Sequence, residues 1–320
     1  MRYLITGVDG KLAGRVAEMM LKEVDGKELI FTCPNIDRIP IEKRENWEKR
    51  GVTIKSANYD KLEEMAESFK NVDRLFFISS ILNGPRRVEQ HKNVIEACKR
   101  AGVKHIIYTS FFGANREGYN QYVLPDHRAT EKMLKESGIA HNIMRNNLYM
   151  ENYLTTSVML AMLSNNIWGT TAGEGKVTSI AKDDSARCAV ALLLGKGEVN
   201  KDYDLTSTIP MSQRDICNLI AEKSGIPFKY VPMNSKEFKE YLENLHIPET
   251  TDGDFSKSPV PFCSNDMITN EAGIAEGQMG IVTHDVELLT GVKPKEVADL
   301  IDEYSYVWKN KVKHWRDLFQ

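Results

Sequence analysis

The chain has 320 residues, a formal net charge of -3 and 42% hydrophobic residues. Such a balance excludes the basic surface that direct nucleic-acid or anionic-membrane binding requires, and no apolar run approaches the ~20 residues that cross a bilayer. The five cysteines are odd in number and form no C-x-x-C pair, which argues against a disulfide framework or a zinc site. The expectation is a cytoplasmic protein with no metal centre. No signal peptide is expected either, because Tyr3-Leu4-Ile5 runs directly into Thr6-Gly7.

Up to about residue 150, short apolar runs alternate with helical stripes. The predicted strands are Tyr3–Thr6, Leu29–Thr32, Val52–Ile54, Arg74–Ile78, His105–Thr109 and Asn142–Met144. Between them, Leu12, Val16, Met19 and Met20 share one helical face, as do Leu62, Met65, Ala66 and Phe69, and then Val88, Val94, Ile95 and Cys98. Strands that alternate with helices of this length predict βαβ units: a Rossmann-type, doubly wound parallel sheet in an α/β protein. Gly102 and Gly138 mark helix ends. The first 150 residues are therefore read as a dinucleotide-binding domain.

Residues 151–320 read as a smaller, mostly helical substrate-side region, some of whose elements return to the first domain. Ile167 to Lys176 is turn-rich. Asp183 and Asp184 open a helix over Ala186 to Leu194, and Ser212 caps another that turns Ile216, Leu219 and Ile220 inward. Residues 247–261 form a polar, proline-punctuated loop, a candidate lid. Lys293 to Lys311 is predicted to be a terminal helix. Trp308 on it and Trp315 beyond it either cover the core or form a homo-oligomer contact.

The most informative stretch is MRYLITGVDGKLAGRV. A strand enters, a helix leaves, and Gly7 and Gly10 shape the turn between them. Glycine permits the tight backbone and its approach to a pyrophosphate, while the helix N-terminus offers free N–H groups. Ala13 is small enough for helix and strand to pack. NAD sites place a carboxylate just after the second strand, but here the strand runs into Thr32-Cys33-Pro34-Asn35. Lys11 and Arg38 lie where a 2′-phosphate would be met. NADP(H) is the favoured cofactor, with NAD(H) the alternative.

The chain resembles the NmrA-like branch of atypical short-chain dehydrogenases, and within it the type-2 quinone oxidoreductases and triphenylmethane reductases. The likeness rests on TGVDGKLAGRV, on RRVEQHKNVIEACKRAGVKHIIYTSFFGAN, and most specifically on Arg145 to Asn152 within HRATEKMLKESGIAHNIMRNNLYMENYL. It implies cofactor contacts at Gly7, Gly10, Lys11, Asn58, Ser79, Ser80 and Asn146; Thr6, Leu12, Arg38 and His127 complete the candidate cofactor residues. Ser110 occupies the family's serine position at the end of the fifth strand. Phe111, Phe112, Asn147 and Tyr149 are the candidates for the substrate pocket.

Ordinary short-chain dehydrogenases pair a tyrosine with a lysine, which helps the tyrosine pass a proton to an alkoxide. Against that pattern, Val123 stands at the tyrosine position and His127 at the lysine position. Acceptors that delocalise their own charge, such as quinones or cationic dyes, need no strong acid. The favoured function is thus an NAD(P)H-dependent reductase of a conjugated or cationic small-molecule acceptor. Two alternatives stand beside it: a dinucleotide-binding redox sensor without turnover, and an epimerase or dehydratase. His127, Tyr149 and Ser110 are the catalytic candidates. For His127 a ribose contact is an equal reading, for Tyr149 a packing role, and for Ser110 a hydrogen bond rather than nucleophilic attack.

Overall fold

The computed structural model describes residues 1–319. Its centre is a seven-stranded parallel sheet. Six strands come from the alternating region: β1 (Tyr3–Thr6), β2 (Leu29–Cys33), β3 (Thr53–Ser56), β4 (Arg74–Phe77), β5 (His105–Phe111) and β6 (Ala140–Asn146). The order is β3-β2-β1-β4-β5-β6, and Asp202–Leu205 adds the seventh strand beside β6. The helices between them are α1 (Lys11–Glu23), α2 (Ile41–Lys49), α3 (Leu62–Ser68), α4 (Pro85–Ala101) and α5 (Leu124–Glu136). The Rossmann-type α/β architecture read from the sequence is the one observed.

Helices cover both faces of the sheet, so the strands are apolar on both sides. In β1, Tyr3 and Ile5 enter one core and Leu4 the other; in β4, Phe76 enters the first and Leu75 and Phe77 the second. The first core is closed by α1 and by the helix Lys182–Leu193, whose N-termini lie together at the carboxyl edge of the sheet, where Arg15 donates to Asp183 at 2.7 Å. A third core, built almost wholly from residues beyond 150, includes Trp168, Phe238, Leu300 and Trp308.

Several boundaries differ from the sequence reading. Ile167–Thr170, expected as turn, is a strand paired in parallel with Lys229–Pro232. Its partner lies some sixty residues away, so no local pattern reveals it. The helix expected over Ala186 to Leu194 begins four residues earlier, with Asp183 and Asp184 in its first turn, where acidic groups favour the helix dipole. The terminal helix expected from Lys293 starts at Val297, after Pro294, where Glu296 and Asp299 form a capping box. It breaks at Ser305 and resumes as Tyr306–Lys309. Ser212 caps its helix through a capping box with Asp215, as expected of such a residue.

Residues 247–261 are irregular but tied down. Ser264 and Asn265 donate backbone N–H groups to Pro248 and Glu249, and Ser258, Pro259 and Val260 are buried. Asp252 lies 3.8 Å from Arg86 at the start of α4. Trp308 is buried in the third core. Among the described residues no helix is long and apolar enough to cross a membrane.

Candidate active site

The strand order reverses between β1 and β4. Open α/β sheets bind ligands at that switch point, outside the carboxyl ends of the strands. The segments that follow β1, β2, β4, β5 and β6 therefore build the site.

The turn after β1 is closed by Gly10 N–H donating to the Gly7 carbonyl at 2.9 Å. Gly7 has φ +67°, and a Cβ there would sit 2.6 Å from the Ile78 side chain, so both conformation and space require glycine. Gly10 is the N-cap of α1 and has no side chain to satisfy the first N–H groups. Gly10 and Lys11 line one end of an open cleft of about 610 Å³ that runs along α1. Lys11, Arg15, Lys22, Arg38 and Lys43 line it, against the carboxylates Asp9 and Glu18. Burial, then Lys182 and Arg15, push the Lys11 ammonium down to about 8. The end of the cleft at the uncapped N-terminus of α1, with Lys11 and Arg15, suits an anion, while Lys22 lies in the helix's last turn. Arg38 Nε lies 3.1 Å from the Asp9 carboxylate.

Other expected contacts serve the frame more than the cleft. The Thr6 hydroxyl donates to the Phe76 carbonyl at 3.0 Å and accepts from Tyr59 at 2.7 Å and from the Ile78 N–H at 3.1 Å, locking the ends of β1 and β4 together. Asn58 uses its side-chain oxygen to accept from the Asp60 N–H. After β4, the Ser79 N–H donates to Thr109 Oγ1, and the Ser80 N–H donates to His91 Nε2 at 2.9 Å. Leu12 is buried against the first core and leaves only its backbone N–H for a ligand.

A buried network stands behind Ser80. Because His91 Nε2 accepts, its proton is on Nδ1 and is donated to Thr130 Oγ1 at 2.8 Å; Thr130 in turn donates to the Asp126 carbonyl. His127 Nε2 faces Arg87 Nη1 at 3.4 Å, and Arg87 only donates, so His127 keeps its proton on Nδ1, 2.7 Å from the Tyr108 hydroxyl. Burial, reinforced by Arg87, holds both histidines well below their ordinary value. Both ring nitrogens of His127 are thus engaged in the interior, and neither is left to serve an acceptor.

Ser110 is similarly engaged. Its hydroxyl donates to Glu131 at 2.7 Å, and Glu131 is held by both the Nε and Nη2 of Arg145 at 2.9 and 2.7 Å. Glu131, the acceptor, is held as a carboxylate by Arg145, so the contact positions Ser110. Phe112 is fully buried in the third core, with Arg116 over its ring, while Phe111 is half-buried. Asn147 is also buried and donates to Thr178 and to the Met279 carbonyl, fastening the C-terminal region to β6.

The end of β6 is different. Asn146 Oδ1 accepts from Ser185 at 2.7 Å, but its buried Nδ2 has no partner. Tyr149 follows, half-buried, with the Lys182 ammonium 4.8 Å from its ring centroid. Burial, then Glu151, raises the Tyr149 hydroxyl well above its ordinary value, so it stays protonated at neutral pH. Glu151 accepts from the Lys182 N–H at 2.8 Å through one oxygen; its other oxygen is buried without a hydrogen-bond donor, 3.7 Å from Lys182 Nζ. The unpartnered Asn146 Nδ2, at the carboxyl end of β6 two strands from the switch point, is a donor that a dinucleotide with hydroxyl and amide groups would satisfy. Sequence reasoning passed over Asp9, Tyr59, Glu151 and Lys182. Asp9 was within reach, since it stands inside the glycine turn; Lys182 comes from a distant helix and leaves no local signal.

The fold and this edge define an α/β protein built to hold a dinucleotide at the carboxyl ends of its strands. The chain belongs to the NmrA-like family, whose sequence profile matches residues 2–297. It is 31% identical to quinone oxidoreductase 2 of Escherichia coli (strain K12) over 77% of this chain and 82% of that one. The structure of the Escherichia coli NADPH-dependent quinone oxidoreductase complexed with NADPH superposes with a TM-score of 0.81 at 27% identity, covering 94% of this chain and 99% of that one. The Citrobacter sp. triphenylmethane reductase complexed with NADP(H) gives 0.77 at 25% identity, with 95% and 100% covered.

Proposed function

We propose that this protein is an NADPH-dependent reductase of conjugated small-molecule acceptors, quinones and cationic dyes foremost. The observation that carries the reading is the uncapped N-terminus of α1 opening on a cleft lined by five cationic side chains. Relatives that bind NADPH and reduce quinones or triphenylmethane dyes support it. Five buried free thiols fit a reducing compartment.

In this reading the N–H groups that open α1, together with Lys11, hold the pyrophosphate, and Arg38 meets the 2′-phosphate. Asn146 Nδ2 and Glu151 meet the nicotinamide half. The reduced dinucleotide supplies the hydride. His91, His127 and Glu131 are positioning residues that fix the segments after β4 and β5. Tyr149 is the group with a proton to give near the end of β6.

The test mixes the purified protein with NADPH or NADH, with and without a simple quinone, and follows nicotinamide absorbance. The expected result is quinone-dependent oxidation, faster with NADPH. Tight nucleotide binding with no consumption for any conjugated acceptor would instead make the protein a redox sensor.

A further inference from the structure

The family profile ends at residue 297, yet the chain continues back to the nucleotide cleft. Past the helix Tyr306–Lys309, Val312 is buried and donates its N–H to the Val307 carbonyl, which turns the chain. The Trp315 N–H then donates to the carbonyl of buried Pro259 at 2.8 Å, anchoring the next turn to the 247–261 segment. Trp315 packs against the third core and lines the same cleft as Gly10, Lys11, Arg38 and Lys43, with Arg316 5.2 Å over its ring and His314 stacked at 5.8 Å.

We propose that the C-terminal turn beginning at Trp315 is part of the nucleotide site, with the indole forming the wall against the adenosine half of the bound dinucleotide. This rests on the dinucleotide reading above. Two features choose the adenosine half. Arg38 and Lys43 come from the segment after β2, where this class of fold places the adenosine ribose. A flat indole that already carries stacked His314 and the Arg316 guanidinium, among the cations of the cleft, matches a flat base carrying phosphates, since the base extends the ring contacts and the cations recognise its charge. Lys11, pushed down first by burial and then by Lys182 and Arg15, gains from the same anion.

The experiment titrates NADPH, and separately adenosine 2′,5′-bisphosphate, into the wild type, Trp315→Ala and Trp315→Phe by calorimetry. Trp315→Ala is expected to weaken both probes by roughly five- to a hundredfold, the range of one base–aromatic stack, and Trp315→Phe to retain most of the affinity. Melting without ligand checks that each variant is folded. Fluorescence with adenosine 2′,5′-bisphosphate gives a second readout: this probe, unlike NADPH, takes no excitation energy from distant tryptophans, so its quenching should fall in Trp315→Phe to whatever Trp47, beside the cleft through Glu18 and Lys43, contributes. Unchanged quenching in that variant, or unchanged affinity in Trp315→Ala, overturns the proposal. Tighter binding in Trp315→Ala also overturns it, and would make the turn a plug. If the wild type binds neither probe, the dinucleotide reading itself fails.

Discussion

Arg38 and Asp9 face each other across the cleft, guanidinium nitrogen to carboxylate at 3.1 Å. Asp9 is nearly buried within the glycine turn, whereas Arg38 is largely exposed. A 2′-phosphate approaching Arg38 meets a cation already shared with an anion. Asp9→Asn frees that cation and removes a like charge, an effect of about 1 kcal/mol for partly solvated groups, or roughly fivefold. The affinity for NADPH should rise by that factor while NADH changes little. Arg38→Ala should do the reverse. Dissociation constants for the two nucleotides check this; equal effects on both would remove Arg38 from the 2′-phosphate.

Glu131 joins Ser110 to Arg145 in the interior, and Arg145 also reaches Asp202 at 2.6 Å. Removing Glu131 weakens a buried pair, but Asp202 stays on Arg145, so Glu131→Ala should destabilise the fold by about 3 kcal/mol, the low end for a broken buried pair, in urea denaturation. Ser110→Ala loses a single hydrogen bond to a charged group, about 1.5–3 kcal/mol. Its turnover number should stay within about threefold of wild type, because transition-state donors typically contribute 10²–10³. A hundredfold loss would place Ser110 in the chemistry.

His127 is held neutral by burial, with a folded pKa well below its unfolded value of 6.5. The unfolded state therefore binds the extra proton, and stability is lost as pH falls below about 6.5, by up to ~1.4 kcal/mol per pH unit for each such histidine. His91 acts in the same direction. Asp266, whose carboxyl burial pushes up to about 6, acts in the opposite one, because its folded form takes up protons first. Comparing wild type with His127→Gln isolates the histidine. The variant should be less stable at pH 7, yet flatter between pH 6.5 and 5, and its kcat profile should keep the wild-type pKa values. A kinetic pKa lost on substitution would return His127 to the proton transfer.

The parallel sheet was legible because each strand is short, apolar and followed by a helical stripe. α2 was not, since Trp47 is its only buried residue and one side chain makes no stripe. Trp47 packs edge-on against Phe31 and donates to Glu18, contacts set by the tertiary fold. The glycine turn was readable because backbone conformation there restricts residue type directly. Ser110, His127 and Asn147 carried the right residue types, but the sequence could not show which atoms interior partners would occupy. Trp315 reaches the cleft through Pro259, a contact between distant segments with no trace in periodicity.

Tyr149 offers the sharpest separation of chemistry. Its hydroxyl stays protonated because burial, then Glu151, opposes the phenolate, with the Ser185 bond acting the other way. Reduction of a quinone places negative charge on oxygen that must then take up a proton. Reduction of a triphenylmethane cation discharges the acceptor and needs none. If Tyr149 gives that proton, Tyr149→Phe should slow quinone turnover, by about tenfold, below the 10²–10⁴ typical of general acids because a hydroquinone anion is already stabilised. Dye reduction by the same variant should remain within about twofold. Steady-state kcat for both acceptors, with NADPH saturating, measures the split. Equal losses on both would make Tyr149 a packing residue, held by Lys182 and Ile180 at the end of β6.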